Sequence, residues 1–151
     1  VGIIAGIAIY EKIIMTVKNT ESGTTYRNRL TKSIVLAIRK LIQKGQPDKE
    51  SLDMAAFVVL ALEKIEESVD TSATAWEKRD YWLKADRFRM EWGWTAGRRM
   101  ALEAVVLVQD WGKIATELIL VAQHFNQIEV SDKNRLGEPW LGAWKVLKDR
   151  S

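Results

Sequence analysis

The sequence predicts an all-α fold, a single compact bundle of about six helices, and three observations carry that expectation. The 151-residue chain has only two prolines and nine glycines, and its long runs of Ala, Leu, Ile, Lys, Glu and Arg favour helix almost throughout. Apolar residues recur at three-and-four spacing, and nowhere do they alternate for long enough to form a sheet. The balance of 47% hydrophobic to 28% charged residues is that of an ordinary globular domain, and the length suffices to bury a core without staples.

The first helix is expected to run to about Val17. Its opening, VGIIAGIAIYEKIIM, places Ile3, Ile4, Ile7, Tyr10, Ile14 and Met15 close to one face. The stretch lacks the basic region and cleavage site of a secretory signal, and Glu11 and Lys12 interrupt it before it reaches the length of a membrane span. No Ser, Thr, Asp or Asn caps its start. The expectation is therefore an excised methionine, or a 1–151 helical domain that is the C-terminal portion of a longer chain or an internally initiated product.

After the polar turn KNTESGTT, a second helix is expected over about Tyr26 to Lys44, with Leu30, Ile34, Ile38, Leu41 and Ile42 on one face and a stop at Gly45-Gln46-Pro47. A third begins near Asp48 or Ser51 and turns Met54, Val58, Ala61, Leu62, Ile65 and Val69 inward, until DTSAT breaks the pattern. Thr74 and Glu77 have the spacing of a capping box and open a fourth helix, to about Trp92. Gly93 and Gly97 permit a bend. Periodicity resumes at Met100 and continues to about Ile128, with a kink near Asp110-Trp111-Gly112. SDKNRLGEP is the clearest loop, and WLGAWKVLKDR a short last helix with Trp140, Trp144 and Leu147 facing in. No internal repeat or linker divides the chain.

Charge is distributed unevenly. Arg27, Arg29, Lys32, Arg39, Lys40 and Lys44 lie between Ser22 and Pro47 without one Asp or Glu, leaving 17 basic against 20 acidic residues elsewhere. At helical spacing, all but Arg27 fall within an arc of about 140° opposite the apolar face. Such a stripe matches a phosphate backbone, each cation displacing condensed counterions. It equally matches a solvated face, or one neutralised by the third helix through Asp48, Glu50, Asp53, Glu63, Glu66, Glu67 and Asp70.

A second region, WEKRDYWLKADRFRMEWGWTAGRRM, interleaves seven basic residues with six aromatics. Asp80 with Lys84 and Arg87 with Glu91 are spaced as helical pairs, whereas Lys78, Arg79, Arg89, Arg98 and Arg99 have no such relief. On one helix the aromatics would form two stripes, Tyr81, Phe88 and Trp92 on one side and Trp76 and Trp94 with Leu83 and Met90 on another. Two readings follow: packed core, or a surface where rings stack bases or anchor another subunit beside arginines.

Catalytic signatures are missing. His124 is the single histidine and no Cys is present, so neither a histidine-based triad nor a His-rich or Cys-ligated metal site is available. The lack of Cys also suits a reducing, cytoplasmic compartment. There is no Gly-x-Ser-x-Gly, no Walker loop and no Gly-x-Gly-x-x-Gly. One acidic constellation remains. Glu66, Glu67 and Asp70, followed by Glu77 and Asp80, resemble the Glu-Glu-x-x-Glu … Glu-x-x-Asp pattern of the all-α nucleoside triphosphate pyrophosphohydrolases, which implies Mg²⁺ held between two helices. Here the connection between the two helices is short, and acidic residues near a helix start are also expected from the macrodipole.

In YRNRLTKSIVLAIRK and RFRMEWGWTAGRRM, a basic helical chain of this size without catalytic groups resembles the small subunits of CRISPR effector complexes. The resemblance implies binding without turnover and without cofactor or metal. Arg27, Arg29, Lys32, Arg39, Lys40, Lys44, Arg89, Arg98 and Arg99 would contact RNA or single-stranded DNA. Trp94 and Trp140 would join neighbouring subunits, in several copies, with no membrane involved. Charge reversal at Arg39 and Lys40 would then matter more than at Lys145 and Lys148.

Overall fold

The computed structural model describes residues 21–151, and the helix expected before Val17 lies outside them. The described part is all-α. Six helices follow in order: α1 (Gly23–Lys44), α2 (Lys49–Glu77), α3 (Trp82–Glu91), α4 (Trp94–Leu107), α5 (Trp111–His124) and α6 (Ala143–Arg150). Among the described residues no helix is long and apolar enough to cross a membrane.

The architecture is organised around α2. Met54 to Leu62 are nine consecutive buried residues, so this part of the helix has no solvent face and must be covered all round. Helices α1, α3, α4 and α6 all pack on it, while α5 packs on α4 and touches α1. The inward set expected for this helix is buried throughout. On α1, Leu30, Ile34 and Ile38 are buried as expected, but Ile42 stands 71% exposed.

Caps explain most boundaries. The Ser22 hydroxyl accepts from the Thr25 N–H at 3.2 Å and starts α1; Gly45, at φ 75°, ends it where the Gly-Gln-Pro signal placed the stop. Asp48 and Ser51 form a reciprocal capping box at the start of α2. The start of α6 is capped from another helix: Asp53 of α2 accepts from the N–H groups of Gly142 at 3.3 Å and Trp144 at 3.0 Å.

Two expectations are corrected here. DTSAT does not break the third helix, which continues to Glu77, so Thr74 and Glu77 lie in its last turns and are not a capping box. A turn at 78–81 replaces the expected mid-helix, and Asp80 takes φ 64° in it. The Tyr81 N–H reaches Trp76 O at 2.9 Å and the Asp80 N–H reaches Glu77 O at 3.0 Å, the paired bonds that close a helix through a left-handed residue. The kink expected near Asp110 is a complete break of the same kind. Gln109 has φ 56°, the Asp110 N–H bonds Val105 O at 3.1 Å, and the Asp110 carboxylate accepts from the Lys113 N–H at 3.2 Å to start α5. Gly97 lies inside α4 and bends nothing; Gly93 is the junction.

Candidate nucleic-acid interface

Positions of the nine candidate cations divide them sharply. Arg27 is a correction: it is buried, donating to Ser68 O at 3.3 Å, Ser68 Oγ at 3.0 Å and Ser72 Oγ at 3.0 Å, with its guanidinium 4.6 Å above the Phe88 ring. Burial lowers its pKa, against the opposing charge of Glu91. Such a group is a core element and cannot reach a polyanion. Beside it, Tyr26 is pushed up to about 12 by burial and by Glu67.

Three further arginines are occupied by carboxylates. Arg89 is paired with Glu77 and lies 3.4 Å from Asp70; Arg99 donates through Nε to Glu66 at 2.5 Å; Arg98 lies 3.5 Å from Glu117. Hydrogen bonding to Glu77 raises the pKa of Arg89, and bonding to Glu66 raises that of Arg99. Arg150, which the sequence analysis did not single out, holds Glu63 at 2.7 Å and Glu103 at 2.8 Å. The acidic end of α2 is thus neutralised by arginines of α3, α4 and α6. Glu66, Glu67, Asp70 and Glu77 all lie on one helix, so the two-helix carboxylate pattern is not formed. Among the described residues no group of three or more His, Asp or Glu is arranged to hold a metal ion.

On α1, Lys44 is held by Asp48 at 2.9 Å and Glu50 at 3.1 Å, and the bond to Lys44 with those to Ser51 keeps the Asp48 carboxyl down at about 2. Arg39 donates to Val130 O at 2.7 Å and to Asp132 at 3.2 Å, fastening the 129–136 loop beside α1. Lys40 has no carboxylate partner among the described residues and sits 5.9 Å above the Trp140 ring. Arg29 shares a 2.5 Å pair with Glu21 yet stays 45% exposed, and Lys32 is exposed without an ion pair among the described residues.

The fastened loop creates what the sequence did not reveal. An open cleft of about 580 Å³ lies between Asn28, Arg29 and Lys32 of α1 and Glu129, Asn134 and Arg135 of the loop. Four further cations without a carboxylate partner among the described residues, Lys78, Arg79, Lys84 and Arg87, gather around the α2–α3 turn. The expected pairs Asp80–Lys84 and Arg87–Glu91 do not form; Asp80 lies in the turn rather than on the helix, and Lys84 instead stands 4.4 Å above the Trp76 ring.

The interface tryptophans are also revised. Trp140 is fully buried, its Nε1–H donating to Glu50 at 3.3 Å, so it offers nothing to a neighbour. Trp94 is half-buried and stacks flat on His124, with ring centroids 3.8 Å apart and an interplanar angle of 2°. Burial and Arg98 lower the His124 pKa, which favours the neutral ring. An apolar cleft of about 540 Å³ separates α1 from α5, lined by Ile38, Leu41, Ile42, Ile114, Leu118 and Ile119. No family model, curated protein or solved structure matches the chain.

Proposed function

We propose that the chain is a non-catalytic nucleic-acid-binding subunit of a multi-subunit effector of the CRISPR kind. The observation that carries this reading is the α1–loop cleft. A helix without a single acidic residue from Gly23 to Lys44 faces a loop that adds Arg135 to Arg29 and Lys32, and the side-chain amide of Asn28 supplies a neutral donor beside them. The cleft is open to solvent, as access by a strand requires. A protein-interaction module is the second reading, favoured by the apolar cleft between α1 and α5 and by exposed Ile42 on its rim.

Binding of fluorescent single-stranded RNA and DNA, followed by anisotropy over a range of salt, separates them. The double variant Lys32→Glu/Arg135→Glu is expected to weaken binding and to flatten the salt dependence by about two units of slope, one for each lost phosphate contact. Lys145→Glu/Lys148→Glu should change little, since Lys145 already serves Asp149 at 2.6 Å. Equal losses in both variants would move binding away from the cleft. Absence of binding at low salt would end the nucleic-acid reading.

A further inference from the structure

The α2–α3 turn exposes rings that the fold had every opportunity to bury. Tyr81 is 57% and Trp82 56% exposed, with Leu83 beside them at 64%. An aromatic side chain buries 150–250 Å² when it enters a core, so leaving two outside forfeits a large gain. Their position is fixed rather than loose. The two hydrogen bonds that close α2 hold Tyr81 against the Trp76 turn, and the Tyr81 carbonyl accepts from the Ala85 N–H at 3.1 Å as α3 begins. Behind them Trp76 and Phe88 meet edge to face, centroids 4.8 Å apart, and give the patch a rigid floor.

The patch is shallow and open to solvent. A cleft of about 680 Å³ is lined by Trp76, Tyr81, Trp82, Leu83 and Phe88, with Asp80, Lys84, Arg87 and Glu91 at its edge. Lys78, Arg79, Lys84 and Arg87 have no carboxylate partner among the described residues. Exposed rings and, beside them, cations without a carboxylate partner are the two components by which single strands are held: stacking for the base, charge for the phosphate.

Building on the nucleic-acid reading proposed above, we infer that this turn is a stacking platform for unpaired bases, with Tyr81 and Trp82 as the ring faces and Lys78, Arg79, Lys84 and Arg87 as the backbone contacts. It selects single strands, because bases paired inside a duplex cannot turn their faces to a ring. Asp80 and Glu91 at the cleft edge accept hydrogen bonds from exocyclic amino groups. An anionic lipid surface is the other partner for which exposed Trp, Tyr and Leu beside basic residues are suited, but it presents no base to stack on Tyr81 and Trp82.

The test compares the Tyr81→Ala/Trp82→Ala protein with the parent and with Lys32→Glu/Arg135→Glu, by anisotropy on labelled single strands of about 20 nucleotides and on the matching duplex, longer than one site of this class. Losing the rings should weaken single-strand binding by roughly tenfold to a hundredfold while duplex binding and the salt slope hold. Trp82→Phe should retain most of the affinity and Trp82→Leu should not, a difference that apolar bulk alone does not produce. Unchanged single-strand binding in the ring variant, with loss in the Lys32→Glu/Arg135→Glu variant, overturns the platform and leaves the cleft reading standing. Failure of the parent to bind any strand overturns both. Ring-dependent binding to phosphatidylserine vesicles, with strands unaffected, assigns the patch to a membrane surface and overturns the platform.

Discussion

Between Met54 and Leu62, α2 buries every residue, whereas between Glu63 and Glu77 it alternates Ile65, Val69 and Ala73 with carboxylates and hydroxyls that receive arginines from four other helices. Arg27 comes from α1, Arg89 from α3, Arg99 from α4 and Arg150 from α6. The first half is held by excluding water, a force proportional to apolar area and indifferent to direction. The second is held by directional contacts whose worth per exposed pair is about 0–1 kcal/mol. Dehydration therefore supplies most of the stability, and the arginines set which helix lies against which turn of α2. The same division bears on function. An arginine spent on α2 is unavailable to a polyanion, and the cations without a carboxylate partner among the described residues include Lys32 and Lys40 on α1, Lys133 and Arg135 in the loop, and the group around the α2–α3 turn.

The largest break in this comparison is Phe57→Ala. Phe57 is fully buried in the water-free half, and its truncation should cost about 3–5 kcal/mol in urea unfolding, by the same amount at low and at high salt. Next comes Arg27→Ala, which leaves Ser68 and Ser72 without their buried donor and should cost about 1.5–3 kcal/mol. Arg27→Met, which restores the volume but supplies no donor to Ser68 and Ser72, should recover only the packing part of that loss in the same unfolding experiment.

The smallest effect is the one that tells the halves apart by pH. Hydrogen bonding to Arg150 holds the Glu63 carboxyl below its ordinary value in the folded chain. A depressed folded value means that the contribution is complete above the unfolded value of about 4.3 and is lost as pH falls through the folded one. Glu63→Gln should therefore flatten the acid limb of the stability curve, by less than about 1 kcal/mol because the pair is partly solvated. Phe57→Ala should lower the whole curve and leave that limb's slope intact.

How much of this was legible in sequence depended on whether the cause was local. The all-α class, the stop at Gly45 and the inward face of α2 follow from spacing and turn chemistry within a few residues, and all three are observed. DTSAT was misread because its residues are poor helix formers in isolation. In the fold, Arg27 satisfies Ser72 and Arg89 reaches Thr74 at 3.4 Å, both from distant parts of the sequence, while the Thr71 hydroxyl donates locally to Glu67 O at 2.9 Å, so these hydroxyls do not interrupt the helix. Once that helix runs on, the aromatic stripes drawn for a helix over 74–92 no longer exist. Trp76 and Phe88 end on different helices, and Tyr81 and Trp82 are brought to the surface at the turn between them.

The basic stripe was legible as a cluster but not as a free surface. Nothing within α1 shows that Arg39 is used to fasten a loop some ninety residues later in the chain, or that Arg27 turns inward. The cleft opposite Lys32 was illegible for the same reason, since half of it is supplied by 129–136. The interleaving of cations and rings between Trp76 and Met100 did mark the region that now holds the exposed aromatics, although the residues singled out there, Arg89, Arg98 and Arg99, are those the fold keeps for itself.

Asp110 belongs to two helices at once, its N–H completing α4 and its carboxylate beginning α5. No residue is spare at that corner, so a peptide spliced between Gln109 and Asp110 would have to undo both ends together, and fraying in one helix is transmitted to the other. Gly137, with nothing within 4 Å of the place a side chain would occupy, is the opposite kind of joint. Tags, reporter domains or relocated termini belong at Gly137, where splicing leaves every helix whole.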